Sequence, residues 1–334
     1  MHIIEHRSKK AKEKERKKAM HNKYLPEGSL IKTSENREYI SSPGGLERAA
    51  QQGRILEATA LRCDSDMRLY VDLYGMRGII EKKEAAYCRP GEVLKDIAVI
   101  SRVGKPVCFK VIDTDYDAHG PFVRLSRRDA QLECMRNYLC DLIPGDIINA
   151  TVTHLESFGA FVDIGCGIPS LLSVDCISVS RISHPRDRLS PGMPIRCAVR
   201  SVEPESGRIF VTMRELLGTW LQNAARFEIG HTVAGIVRSI EDYGIFIELA
   251  PNLAGLAELR DDGLRCPEPG EYAAVYIKNI IPERMKVKLV MIDSHSADAA
   301  IRPPEYFIGE NVSHIDRWLY SPPYSKKVIE TVFE

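Results

Sequence analysis

The run GDIINATVTHLESFGAFVDIG at residues 145–165 returns as GHTVAGIVRSIEDYGIFIELA at residues 230–250. Every matched residue lies 85 positions further on: Gly145 with Gly230, Val152 with Val237, Phe158-Gly159 with Tyr243-Gly244, Phe161 with Phe246. The likeness resumes after a gap. PGMPIRCAVRSVEPESGRIFVTM (191–213) matches PGEYAAVYIKNIIPERMKVKLVM (269–291), now at an offset of 78. The seven-residue difference falls between the two matched blocks, where the copy at 145–213 is longer and reads SVSRISHPRDRLS (178–190). A repeat of this period means one folding unit used more than once.

A weaker copy precedes both. LYVDLYGMRGII (69–80) aligns with AFVDIGCGIPSL (160–171), VGKPVCFKV (103–111) with PGMPIRCAV (191–199), and VRLSRR (123–128) lies near FVTMRE (210–215) in the frame. Short β-rich runs such as Ile147 to Leu155, Gly159 to Ile164, Ile195 to Val202 and Arg208 to Thr212 are broken by Gly, Pro, Asp and Asn turns. Strands at about ten-residue spacing predict an all-β barrel or sandwich. With five strands per unit, a closed barrel removes the exposed edges that an open sheet would leave. QLECMRNYLC (131–140) and ELLGTWLQNAARF (215–227) have helical composition and predict short linker helices.

The expected organisation therefore has seven parts. A basic N-terminal arm and linker takes 1–44 and a degenerate barrel takes 45–130. A linker helix at 131–143 leads to a clear barrel at 144–214. A second linker helix at 215–228 leads to another clear barrel at 229–292. A proline- and aromatic-containing tail fills 293–334. The tail lacks strand alternation but is too aromatic for ordinary disorder, so it either packs on the last barrel or docks on a partner.

Composition narrows the function classes. The chain of 334 residues is 44% hydrophobic and 28% charged, as expected of a folded domain protein. The sequence lacks an apolar run long enough to span a bilayer, and MHIIEHRSKKAKEKERKK at the start lacks the apolar core of a secretory signal. A cytoplasmic location is expected, without membrane contact. Nine cysteines, none paired as CxxC, read as reduced small hydrophobes rather than disulfides or metal ligands. The formal net charge is zero, yet residues 1–23 hold nine Lys/Arg against three Glu. Such a basic arm either contacts nucleic acid or a ribosome, or is a solvated terminus. GxxxxGK[ST], HExxH and GxSxG are all missing, and the acidic residues show no metal-clustering spacing. The expectation is a non-enzyme without cofactor or metal.

The long gapped pattern, from Gly145-Asp146 through Phe158-Gly159-Ala160-Phe161-Val162-Asp163-Ile164-Gly165 and PSLLS to Gly207-Arg208-Ile209-Phe210-Val211-Thr212-Met213, resembles the S1 RNA-binding domain. The third unit matches nearly as well, and the three together cover about two thirds of the chain. The arrangement also resembles the shorter bacterial proteins of the ribosomal protein S1-like family. That resemblance implies tandem five-stranded OB-fold (S1-type) barrels joined by short helices. It implies binding of single-stranded RNA (mRNA) in translation, with the small ribosomal subunit as a possible partner. Alternatives are a docking scaffold of degenerate S1 barrels, or an accessory RNA-binding subunit of an RNA-processing complex. The sequence does not give the oligomeric state.

In that family two aromatics on the second strand, a His after the third, and an acidic and a basic residue near the last strand form the RNA face. Carried over by position, the middle unit offers Phe158, Phe161, Glu203 and Arg208, with Ser173 in place of the His. The third unit offers Tyr243, Phe246 and Lys286, with Glu258 at the His position and Ile281 or Glu283 at the acidic one. In the first unit Tyr70 remains, with Met67 and Lys82 at the other positions and Arg124, Arg127 and Arg128 nearby. The extra loop carries Arg181, His184, Arg186 and Arg188, which either border the platform or decorate a structural turn.

The ordinary fate of a phenylalanine is the core. A regular strand would send Phe158 and Phe161 to opposite faces. Gly159 between them suggests a bulge that re-aims one ring. The recurrence at Tyr243-Gly244-Ile245-Phe246 argues for a shared platform on which bases stack. Charge urges restraint, because the middle unit (144–217) holds seven Lys/Arg against eight Asp/Glu.

Overall fold

The computed structural model describes residues 23–89, 91–258, 266–296 and 301–334. Most of the basic arm, residues 1–22, lies outside them. Three closed five-stranded barrels follow one another. The first is β1 (Leu56–Cys63), β2 (Leu69–Leu73), β3 (Met76–Ile80), β4 (Pro106–Asp117) and β5 (Gly120–Ser126). The second is β6 (Ile147–Glu156), β7 (Gly159–Asp163), β8 (Pro169–Ser173), β9 (Pro194–Val202) and β10 (Ile209–Thr212). The third is β11 (Thr232–Glu241), β12 (Gly244–Ala250), β13 (Leu253–Ala257), β14 (Tyr272–Ile281) and β15 (Lys286–His295).

All three close in the same order: first, second, third, fifth, fourth strand, then back to the first. Closure comes from one parallel pair in each barrel, third strand against fifth. The repeat and strand spacing predicted closed all-β barrels, and this is the tandem OB-fold architecture that the S1 resemblance implied. Alternation sets the interior. Ala160 and Val162 on β7, and Ile245 and Ile247 on β12, are buried, while Phe161 and Phe246 between them point outward and are half-covered.

Helices join and flank the barrels. Arg127–Asn137 starts at Ser126, whose hydroxyl accepts from the Asp129 amide. Trp220–Ala224 follows a short turn at Arg214–Leu217 and Gly218, whose φ of +85° ends that turn. Two further helices, Ser34–Ile40 and Pro43–Gln52, precede β1. Ser42 caps the Gly45 amide, and Pro43 supplies the fixed φ suited to a helix start, so Pro-Gly-Gly at 43–45 opens a helix.

The described residues divide into two compact units. One runs up to Leu142 and takes in Asp163–Pro169; the other comprises Ile143–Val162 and Ser170–Glu334. In the first unit a segment at 24–31 is held by buried carboxylates. Glu57 accepts from the amides of Gly28, Leu30 and Ile31 at 2.9–3.1 Å. Asp163 accepts from Glu27, Gly165 and Gly167 amides at 2.7–3.0 Å. Arg127, buried, pairs with Glu27 at 2.6 Å. It therefore serves this unit's interior and is unavailable to RNA.

In the second unit the tail packs against both barrels of that unit. Tyr306, Ile308, Ile315 and Phe333 cover Ile147, Ala198 and Leu216, while Trp318 and Tyr320 join the core of the third barrel. A small hairpin, β16 (Arg317–Leu319) with β17 (Glu330–Val332), ends the chain. Asn252, fully buried, ties three segments together. Its side chain accepts from the Val179 amide at 2.9 Å and donates to the Arg214 and Gly218 carbonyls; its own carbonyl accepts from the Tyr320 hydroxyl at 2.7 Å. A buried amide is tolerated when all its groups are satisfied this way.

Among the described residues none of the nine cysteines is in a disulfide, and five of them are buried. Among the described residues there is no cluster of three or more His, Cys, Asp or Glu able to hold a metal ion. Nor, among them, is any helix long and apolar enough to cross a membrane.

Candidate nucleic-acid interface

The two phenylalanines of the middle barrel do meet, but not because a bulge turns one of them. Phe158 is the second residue of the two-residue turn between β6 and β7, and Phe161 is the third residue of β7. A turn residue escapes the period-2 rule, so its side chain need not follow Ala160 and Val162 inward. Phe158 is 53% exposed. Its ring stands edge-to-face on Phe161, centroids 6.1 Å apart and planes at 90°. This is a favoured aromatic arrangement, and it props the outer ring against the inner one.

The third barrel repeats the geometry. Tyr243 occupies the matching turn position and is 65% exposed. Its ring meets Phe246 at 6.1 Å and 89°. Here the strand register is regular at the glycine, with Gly244 opposite Glu241; the shift lies on β11 between Val237 and Ser239.

The glycines make room. A Cβ on Gly159 would sit 2.5 Å from the Leu172 carbonyl oxygen, and one on Gly244 would sit 2.6 Å from that of Ala257. Gly244 also has φ +151°, which side chains rarely adopt. The third strand can thus press against the turn, and the Val174 amide donates to the Phe158 carbonyl at 3.0 Å. That bond sets the end of β8, with half-buried Ser173, beside the turn that carries the outer ring.

The charged candidates divide. Glu203 and Arg208 face each other across the β9–β10 turn, joined by the Glu203 amide and the Arg208 carbonyl at 2.8 Å. Glu203 accepts from the Ser206 hydroxyl. The Arg208 guanidinium is exposed and carries no ion pair among the described residues. Lys286 opens β15, opposite Ile281, and is also exposed. Glu258 follows β13 and is exposed, placing a carboxylate next to the Tyr243–Gly244 turn.

The extra loop is fastened elsewhere. Arg188 holds Glu248 of β12 through two hydrogen bonds, one of 2.8 Å, and also donates to Ser178. Arg238 shares the same carboxylate at 2.7 Å and approaches Asp187 at 3.6 Å. His184 caps the turn Pro185–Asp187. Arg181 is exposed on this loop, and Arg188 is spent on the third barrel.

The first barrel keeps Tyr70 on β2 but not an open ring. The Arg62 guanidinium lies 3.5 Å from the ring centroid, and the hydroxyl contacts Asp64 at 3.1 Å. Three of its cations are paired: Arg77 with Asp117 at 2.6 Å, Arg124 with Asp113 at 2.6 Å, Lys82 with Asp96 at 2.6 Å.

Two positions escaped the sequence reading. In the third barrel Phe246, Leu256 and Lys288 are neighbours across three strands. In the second, Phe210 stands beside Leu171. The only signal for them was the repeat combined with the parallel register, and that register is visible only in the fold.

Comparison with known proteins agrees with this geometry. Residues 141–214 match the family model described as the S1 RNA binding domain. The small ribosomal subunit protein bS1 of Staphylococcus aureus (strain COL) is 27% identical over 274 residues, covering 78% of this chain and 67% of that protein. The bS1 protein of Staphylococcus epidermidis is 28% identical over 278 residues, covering 80% of this chain and 67% of that protein. A solved multidomain protein with nucleic acid binding domains from Streptococcus pneumoniae is 14% identical, with 77% of this chain and 76% of that one covered and a TM-score of 0.23.

Proposed function

We infer that this chain, whose residues 141–214 are an S1 RNA-binding domain, binds single-stranded RNA on its second and third barrels without catalysing a reaction. One observation carries the reading: two barrels present the same edge-to-face ring pair, outer ring more than half exposed, at the same turn. Bases stack on exposed rings at about 1–3 kcal/mol each with little regard to sequence. Arg208 and Lys286 are exposed cations suited to phosphate. Duplex RNA buries its base faces, so a stacking platform favours unpaired strands.

The likeness to small ribosomal subunit proteins supports a place in translation and the small ribosomal subunit as partner; messenger RNA is the single-stranded RNA that such a place would present. It also fits a cytoplasmic location. The first barrel, with its ring covered and Arg77, Arg124 and Lys82 held in ion pairs, is assigned a docking rather than an RNA-gripping role.

Fluorescence polarisation with an unstructured RNA oligomer, at two salt concentrations, tests the reading. The Phe158→Ala, Phe161→Ala double variant should bind at least about tenfold more weakly. Unchanged affinity in a folded double variant would remove the platform.

A further inference from the structure

The repeat and the strand register together place one more residue on each RNA face, and it differs in kind between the two barrels. In the third barrel, Phe246 on β12 pairs with Leu256 on β13, and Leu256 pairs with Lys288 on β15. The residues beside them on each strand, Ile245, Ile247, Ala257, Val287 and Leu289, are buried. By alternation the row of three is therefore on the outside. Lys288 is exposed and makes no ion pair among the described residues.

In the second barrel the offsets of 85 and 78 carry this row onto Phe161, Leu171 and Phe210. Leu171 and Phe210 are paired in the same parallel register as Leu256 and Lys288. Ile209 and Val211, on either side, are buried, and Phe210 is half-exposed. Two strand steps of about 4.8 Å separate Phe210 from Phe161. Phe210 makes no ring contact with the Phe158–Phe161 pair, so it serves a neighbouring base rather than the same one.

Resting on the function proposed above, we propose that position 210/288 sets the binding mode of each barrel. Phe210 is a third stacking ring that makes the second barrel's grip base-driven. Lys288 is a phosphate contact that makes the third barrel's grip charge-driven. An RNA strand lying along both faces then meets a stacking site and an electrostatic site in one rigidly tied unit, since Arg188 and Asn252 bind the two barrels to each other.

The test uses the full chain and a short unstructured RNA oligomer, with Kd measured over a salt series. Phe210→Ala should weaken binding about fivefold or more by the same factor at every salt concentration. Phe210→Trp should restore it. Lys288→Ala should weaken binding mainly at low salt and reduce the slope of log K against log salt by about 0.7. Circular dichroism and the urea midpoint identify variants that fail to fold. In that case Phe210→Leu, which keeps apolar volume but has no ring face, replaces Phe210→Ala. The Phe158→Ala, Phe161→Ala variant runs beside them. If it binds weakly while Phe210→Ala or Phe210→Leu binds like wild type, the third ring is refuted and the platform stands. If the double variant also binds like wild type, the RNA-binding reading itself falls. An unchanged salt slope in Lys288→Ala would overturn the electrostatic half.

Discussion

The first and second barrels have one topology and opposite surfaces. Both close in the same strand order, and both keep an aromatic on the outward side of the second strand, Tyr70 and Phe161. In the second barrel a turn phenylalanine leans on that aromatic and stays open to solvent. In the first, the turn position holds Met67, and Arg62 lies over the tyrosine ring. An arginine stacked on a ring occupies the face that a base would need. The shared barrel thus carries two different surfaces, and in the function proposed above the difference rests on two or three residues around one turn.

The contrast can be broken at several strengths. Removing Phe158 and Phe161 together should produce the largest change, at least about tenfold in RNA affinity, because stacking is lost outright. Tyr243→Ala with Phe246→Ala should cost less, since exposed Glu258 already places a carboxylate beside that platform. Glu258→His should then tighten binding by a few fold, about 1 kcal/mol or less; weaker binding would argue that the third barrel is not an RNA face. Tyr70→Ala should leave RNA affinity unchanged, read by the same polarisation assay. A loss there equal to that at Phe158 would abolish the distinction between the barrels.

The glycines sharpen the contrast in stability. Gly244→Ala should destabilise the second unit by about 1–3 kcal/mol, from a positive φ and a contact with a backbone carbonyl that cannot move away. Both tryptophans, Trp220 and Trp318, lie in that unit, so fluorescence-detected urea unfolding reads it directly. Gly75→Ala, in open space between β2 and β3 of the first barrel at φ +94°, should cost only the backbone strain.

The first unit should also answer to pH. Burial pushes the Glu57 carboxyl up to about 8, against the backbone amides of Leu30 and Gly28, which favour the charged form. With its pKa raised, Glu57 holds its proton more tightly in the folded state than in the unfolded one. The stability it contributes is complete below its ordinary value near 4.5 and is lost as pH rises through about 8. Circular dichroism-detected unfolding should therefore show stability falling between pH 5 and pH 9, by roughly a few kcal/mol at most. Glu57→Gln, which cannot ionise, should flatten that fall.

Much of this was legible in the sequence, for particular reasons. The offsets of 85 and 78 expose two barrels directly, because β pairing constrains both faces of every strand. The ring pairs were legible through their recurrence, but Gly159 acts through a turn and a close approach to the third strand rather than through the bulge its sequence suggests. The tail's packing was not legible. Its partners, Asn252 and the backbone around Gly145, lie tens to more than a hundred residues away and leave no local periodicity. Arg127 looked like a surface cation near an RNA face, yet Glu27, a hundred positions earlier, draws it inside. The loop arginines were open to two readings, and Glu248 claims Arg188 for structure.

Photocrosslinking of a 4-thiouridine RNA to the full chain, with crosslinked peptides mapped by mass spectrometry, addresses the contrast between barrels most directly. Crosslinks should concentrate on the segments bearing Phe158–Phe161 and Tyr243–Phe246, with none at Tyr70. Crosslinks on Tyr70 as dense as those on Phe158, or none on either ring pair, would contradict it.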